Sequence, residues 1–90
     1  MGFWPDKREA SFYWLLRNKL GERFNLGEAL EVASPYFSKK VALNIMKRLT
    51  KLGLLKKVGP QEYELVDLEE WLSERAREYL EARRVRHSSS

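Results

Sequence analysis

The chain has no cysteine and a single histidine, His87, which excludes disulfides, thiol catalysis and a zinc site built from the usual nitrogen and sulfur ligands. No apolar stretch approaches the roughly 20 residues that span a bilayer as a helix. The N-terminal run Met1-Gly2-Phe3-Trp4-Pro5-Asp6 lacks the basic-then-apolar layout of a signal peptide. A glycine-rich phosphate loop is also missing. These absences predict a cytoplasmic protein with no metal and no cofactor. Catalysis finds little footing either. Glu69, Glu70, Glu74, Glu78 and Glu81 alternate with arginines at spacings of three and four, which is a surface ion-pair pattern and not an acid–base pair in a cleft. Ser88 beside His87 has no third group to orient it, so the sequence does not read as an enzyme.

Acidic residues are absent from the whole stretch between Glu31 and Glu62, where Lys39, Lys40, Lys47, Arg48, Lys51, Lys56 and Lys57 contribute +7 to a net charge of +4. The flanks together are therefore mildly acidic, at −3. A basic segment between acidic flanks points to a polyanionic partner, most often nucleic acid, provided that the charges share one face; the alternative is a plain solvated surface. Ninety residues, of which 43% are hydrophobic and 33% charged, make one lean globular domain.

Three segments open with a capping residue followed three positions later by glutamate: Asp6 with Glu9, Asn25 with Glu28, and Asp67 with Glu70. Each pair can satisfy orphan amides and so marks a helix start. The first helix is expected over about 7–20, stopped by Gly21. Its apolar set, Ala10, Phe12, Tyr13, Trp14, Leu15, Leu16 and Leu20, covers more than one face and calls for two apolar partners. A second, over 26–33, turns Leu26, Ala29, Leu30 and Ala33 inward and is broken at Ser34-Pro35. Ser38 caps a third over 39–52, ended by Gly53. There Ala42, Ile45, Met46, Leu49 and Leu52 form a buried stripe, while Lys40, Asn44, Lys47, Arg48 and Lys51 lie opposite, with Leu43 exposed among them.

Beyond Gly53 the period falls to two. Residues 54–58 and 62–66 flank Gly59-Pro60-Gln61 and read as a hairpin, to which Arg23-Phe24 can add a short edge strand. A lone hairpin is marginal in water, so it must lie on the helices. The last helix is expected over about 68–84, with the apolar line Leu68, Trp71, Leu72, Ala76, Tyr79 and Leu80, and with Arg83, Arg84 and Arg86 at its end to complement the dipole. Residues 1–86 then form a single domain and 87–90 a disordered tail.

This order of elements, and the run from Ser38 to Leu55 in particular, resembles winged helix-turn-helix transcriptional regulators. Leu49, Gly53, Leu54 and Leu55 fill the Leu-x-x-x-Gly-Leu-hydrophobic pattern that leads from the recognition helix into the wing, and Tyr63-Glu64-Leu65 resembles the returning strand. The likeness covers residues 24–66. It implies a fold that is mainly α with a small β-hairpin, a winged helix-turn-helix with N- and C-terminal flanking helices. It also implies sequence-dependent binding of double-stranded DNA by a small transcriptional regulator, associated with the nucleoid.

The chemistry of the basic helix agrees, since the major groove admits one α-helix. The candidate DNA-binding residues are Ser38, Lys39, Lys40, Asn44, Lys47, Arg48, Lys51 and Lys57. Lys39 and Lys40 sit in the first turn, where helix amides also favour a phosphate. Asn44 either makes a bidentate contact to adenine or is an ordinary exposed polar residue. Lys47 or Arg48 suits guanine or the backbone. Lys51 is a phosphate contact or a solvated charge, Ser38 is first a cap, and Tyr36 touches the backbone or covers the core.

The hairpin tip, Gly59-Pro60-Gln61-Glu62, ends in an acid, whereas wings that enter the minor groove bring Arg or Lys. Backbone contact from Lys57 is the most it should supply. That departure keeps two alternatives open: a protein–protein interaction module on the same fold, and a non-specific DNA-coating protein. Phe3, Trp4, Phe12, Tyr13, Trp14, Leu15 and Leu16 exceed what one small core can bury, and large exposed apolar surface usually marks an interface. A homodimer is expected, with Trp4, Phe12, Trp14, Trp71, Tyr79 and Leu80 at its interface. Its two recognition helices would then read successive major-groove faces. Scarce Asn and Gln beside abundant Glu, Lys and Arg match the bias of heat-adapted proteins.

Overall fold

A computed structural model describes residues 4–88. Four helices and three short strands follow one another in the order α1 (Lys7–Lys19), β1 (Arg23–Asn25), α2 (Leu26–Ala33), α3 (Lys39–Leu52), β2 (Leu55–Lys57), β3 (Glu62–Leu65) and α4 (Leu68–Ser88). The fold is mainly α with a small antiparallel sheet of strand order β1-β3-β2. No helix is long and apolar enough to cross a membrane among the described residues.

Side chains set the helix starts as the spacing predicts. The Asp6 carboxylate accepts from the Glu9 amide at 2.8 Å while Glu9 Oε1 accepts from the Asp6 amide at 3.1 Å, and Asn25 and Glu28 exchange the same pair of bonds. Asp67 accepts from the Glu70 amide at 3.1 Å. Helix α3 ends at Gly53, whose φ of 89° lies in the left-handed region that a side chain disfavours. The amides of Gly53 and Leu54 bond back to the carbonyls of Thr50 and Leu49, at 3.1 and 3.0 Å. The carbonyl of Leu52, the last residue of α3, is taken up from α4: Trp71 Nε1 and Arg75 Nη2 each donate to it at 2.7 Å.

The core lies where α1, α2 and α3 meet the sheet. Phe12, Leu16, Ile45, Leu49, Leu54 and Leu55 are sealed from solvent, and Ala29, Ala33, Ala42, Met46, Phe24, Leu65 and Trp71 join them. In the strands the alternation is kept, with Leu55 opposite Leu65 and Phe24 opposite Tyr63 on the core face, the two rings 6.4 Å apart and stacked. Arg23, Lys56 and Glu64 point the other way, and Arg23 Nε lies 3.5 Å from Glu64 Oε2. Tyr13 crosses from α1 to the end of β3 and donates its hydroxyl proton to the Val66 carbonyl at 2.7 Å. Burial raises its pKa above the ordinary 10, with Arg17 opposing and Asp67 adding to the shift.

Two expectations fail here. Helix α4 runs on to Ser88, so His87 and Ser88 continue the helix, while 89–90 lie outside the described residues. Residues 74–87 contain no glycine or proline and are rich in Glu, Arg, Leu and Ala, so nothing stops the helix at 84. The apolar surplus is also smaller than the composition suggests. Phe12, Tyr13, Leu15 and Leu16 are all buried within the chain, because α1 packs against α2 and α3 and sends Tyr13 to the sheet. Phe3 lies outside the described residues.

Candidate nucleic-acid interface

Helix α3 is seated by its apolar stripe, and the same spacing decides what its outer face presents. Ala42, Ile45, Met46, Leu49 and Leu52 are all buried, which leaves Lys39, Lys40, Asn44, Lys47 and Lys51 exposed. Lys40, Asn44, Lys47 and Lys51 follow at steps of four, three and four, so they share about 60° of arc on a helix with about 100° per residue. Ser38 fixes where this ridge begins, its Oγ accepting from the Val41 amide at 3.3 Å. The turn before it is anchored by Phe37, whose amide bonds to the Ala33 carbonyl at 2.9 Å and whose ring tilts on Phe12 at 5.6 Å. Tyr36 is left 66% exposed beside the helix start, so it does not cover the core.

The charges of Lys39, Lys40, Lys47, Lys51, Lys56 and Lys57 have no direct ion-pair partner among the described residues. A shallow cleft of about 420 Å³ runs along the ridge, lined by Asn44, Lys47, Arg48 and Lys51. A second depression of about 300 Å³ lies between α3 and the sheet, lined by Leu43, Met46, Lys47, Thr50, Lys57 and Tyr63 among others. Lys47 borders both. Lys57 reaches this depression because the register pairs it with Tyr63 and places it on that residue's face of the sheet. At the hairpin tip the Glu62 side chain lies against Gly59, so the tip presents a carboxylate and no cation.

Arg48 departs from the other basic residues. It sits on the flank of α3 that faces α1, and its Nε donates to Glu9 Oε2 at 3.0 Å. Glu9 is 5% exposed and already uses its other oxygen in the α1 cap. The pair ties the start of α1 to the middle of α3, across 39 positions of sequence. Arg48 Nε is thus held within the chain and positions α1 against α3, while the side chain, 36% exposed, still borders the cleft beside Asn44, Lys47 and Lys51. No local pattern signals this contact. The depression lined by Leu43, Lys57 and Tyr63 is equally invisible in the sequence, where Leu43 simply reads as exposed; the structure leaves it half-buried.

The expected interface residues divide. Phe12 is fully buried in the core, and Trp71 is 7% exposed, with Nε1 bonded to the Leu52 carbonyl. Neither offers surface to a second chain, because α1 and α4 spend these rings on the chain's own core. Trp4 remains 42% exposed and stands edge-on to Trp71, with ring centroids 5.5 Å apart. Trp14, Tyr79 and Leu80 are well exposed, at 62%, 53% and 61%. Comparison of the chain with protein families, with curated proteins and with solved structures finds no match.

Proposed function

We propose that this chain is a winged-helix protein that binds double-stranded DNA in a sequence-dependent manner, with α3 in the major groove and β2–β3 as the wing. The observation that carries the reading is the ridge Lys40–Asn44–Lys47–Lys51: exposed, in line and without an ion-pair partner among the described residues. From Lys40 to Lys51 it extends about 16 Å at 1.5 Å per residue, long enough to reach phosphates at both ends with base edges between. Asn44 and Lys47, near its middle, are the side chains suited to adenine and to guanine or the backbone, respectively. Lys57 approaches from the wing base, and Lys39 with Ser38 flanks the helix N-terminus, where a phosphate is favoured.

A mobility shift with specific and scrambled competitors tests this. Selective competition supports the proposal, and equal competition makes the protein a non-specific coat. The acidic wing tip, Glu62 over Gly59, favours the second reading, a protein-interaction module. That reading holds if no shift occurs even at low salt.

A further inference from the structure

The molecule measures 52 × 22 × 22 Å, with a radius of gyration of 15.2 Å against about 12 Å for a compact chain of this length. The excess comes from α4, whose 21 residues extend about 31 Å at 1.5 Å per residue. Its first turns pack through Trp71 and Arg75, while Tyr79 and Leu80 are more than half exposed. An open apolar groove of about 580 Å³ runs between α1 and α4, with Tyr13, Trp14, Leu68 and Leu72 in its lining. On α4 an apolar stripe continues from this groove at helical spacing, with Leu68, Leu72, Tyr79 and Leu80 exposed and Ala76 half-buried among them. Groove and stripe form one continuous surface.

The charges on the same helix are sharply divided. Asp67, Glu69, Glu70 and Glu74 give −4 with no cation among them, whereas 75–88 carries Arg75, Arg77, Arg83, Arg84 and Arg86 against Glu78 and Glu81, or +3. Such a helix repels a parallel copy of itself and matches an antiparallel one. We propose that the groove and α4 bind a second copy of this chain, with the two α4 helices antiparallel and crossing near Ala76. Tyr79 and Leu80 of each copy then lie against Leu72 and Trp14 of the other, and Arg83 and Arg84 face Glu69 and Glu70. The small Ala76 at the two-fold axis lets the backbones approach, and the contact is isologous and closed. Apolar burial supplies the affinity and the charges set the direction.

Light scattering without DNA tests the pairing separately from the DNA-binding proposal. The expected mass is twice 10.7 kDa at micromolar concentration, falling to a single chain in Leu72→Glu/Tyr79→Glu. Both sites are exposed, so the fold should survive, as circular dichroism will show. Because the chain has no cysteine, its direction can be read by oxidation. A mixture of Leu72→Cys and Tyr79→Cys chains should form the mixed disulfide severalfold more than either symmetric one. A single-chain mass that persists to hundreds of micromolar overturns the proposal, as does a dimer indifferent to the double glutamate variant. Predominance of the symmetric disulfides overturns the antiparallel arrangement.

Discussion

Replacing Arg48 by alanine should destabilise the protein without weakening its grip on DNA, whereas replacing Lys47, one residue earlier, should do the reverse. Arg48 Nε and Glu9 Oε2 are 3.0 Å apart, and the Glu9 side chain is 7% exposed. Removing the guanidinium leaves a nearly buried carboxylate oxygen without its donor, which costs about 1–3 kcal/mol for a charged group. The upper range for a fully buried pair does not apply, since the Arg48 side chain is 36% exposed and water can reach the gap. For a domain of this size each kcal/mol moves the melting temperature by roughly 4–8 °C, so a loss of about 2 kcal/mol shifts it by roughly 8–16 °C.

Lys47 has no ion-pair partner among the described residues, so Lys47→Ala should stay within about 0.5 kcal/mol of the parent. If it meets a base, it should lose about 1–3 kcal/mol of binding. Thermal and urea unfolding measure the first quantity, and titration of a labelled duplex at fixed salt measures the second. The double variant Glu9→Gln/Arg48→Ala should be less damaged than the sum of its singles, because a neutral amide at position 9 no longer strands a charge. An Arg48→Ala protein with unchanged stability and a tenfold weaker complex would refute the reasoning and place Arg48 on the proposed DNA-contacting face.

The triple variant Lys40→Ala/Lys47→Ala/Lys51→Ala should fold normally and flatten the dependence of log affinity on log salt by up to about 2.7, at about 0.9 for each phosphate no longer neutralised; an unchanged slope places the DNA elsewhere. Leu43 stands beside Asn44 at the edge of the ridge and suits a thymine methyl. Uracil in place of thymine in the selected site should therefore weaken the parent about fourfold, one methyl being about 0.8 kcal/mol, and leave Leu43→Ala indifferent. Tyr13→Phe should cost about 1 kcal/mol by removing the bond to the Val66 carbonyl. Because burial raises the Tyr13 pKa above 10, folding favours its neutral form, and the parent should lose stability as pH rises from about 10 toward the folded-state pKa. Tyr13→Phe should lack that component in alkaline unfolding. Gly53→Ala should cost about 1–2 kcal/mol, because φ is 89° there and alanine resists the left-handed region; a neutral effect in urea titration would contradict the helix end described.

The helix starts, the stop at Gly53 and the buried stripe of α3 were legible along the chain because capping and amphipathic spacing are local physics, confined to three or four residues. Helices α2 and α3 end where the spacing places them, and the hairpin keeps the inward set Leu55, Tyr63 and Leu65. The uninterrupted basic segment also marked α3 as the helix whose exposed face is basic. What the spacing alone left undivided was the fate of residues on the borders of a helix. Lys47 and Arg48 are neighbours of like charge, yet one faces solvent and the other meets a glutamate 39 positions away. Phe12 and Trp14 are aromatic residues of one helix turn, and burial separates them from 0% to 62% exposure. Side chains near the edge of a stripe are claimed by whichever neighbour the tertiary packing brings within reach. Long-range partners such as Glu9 for Arg48 and the Leu52 carbonyl for Trp71 exist only once the helices are set against each other.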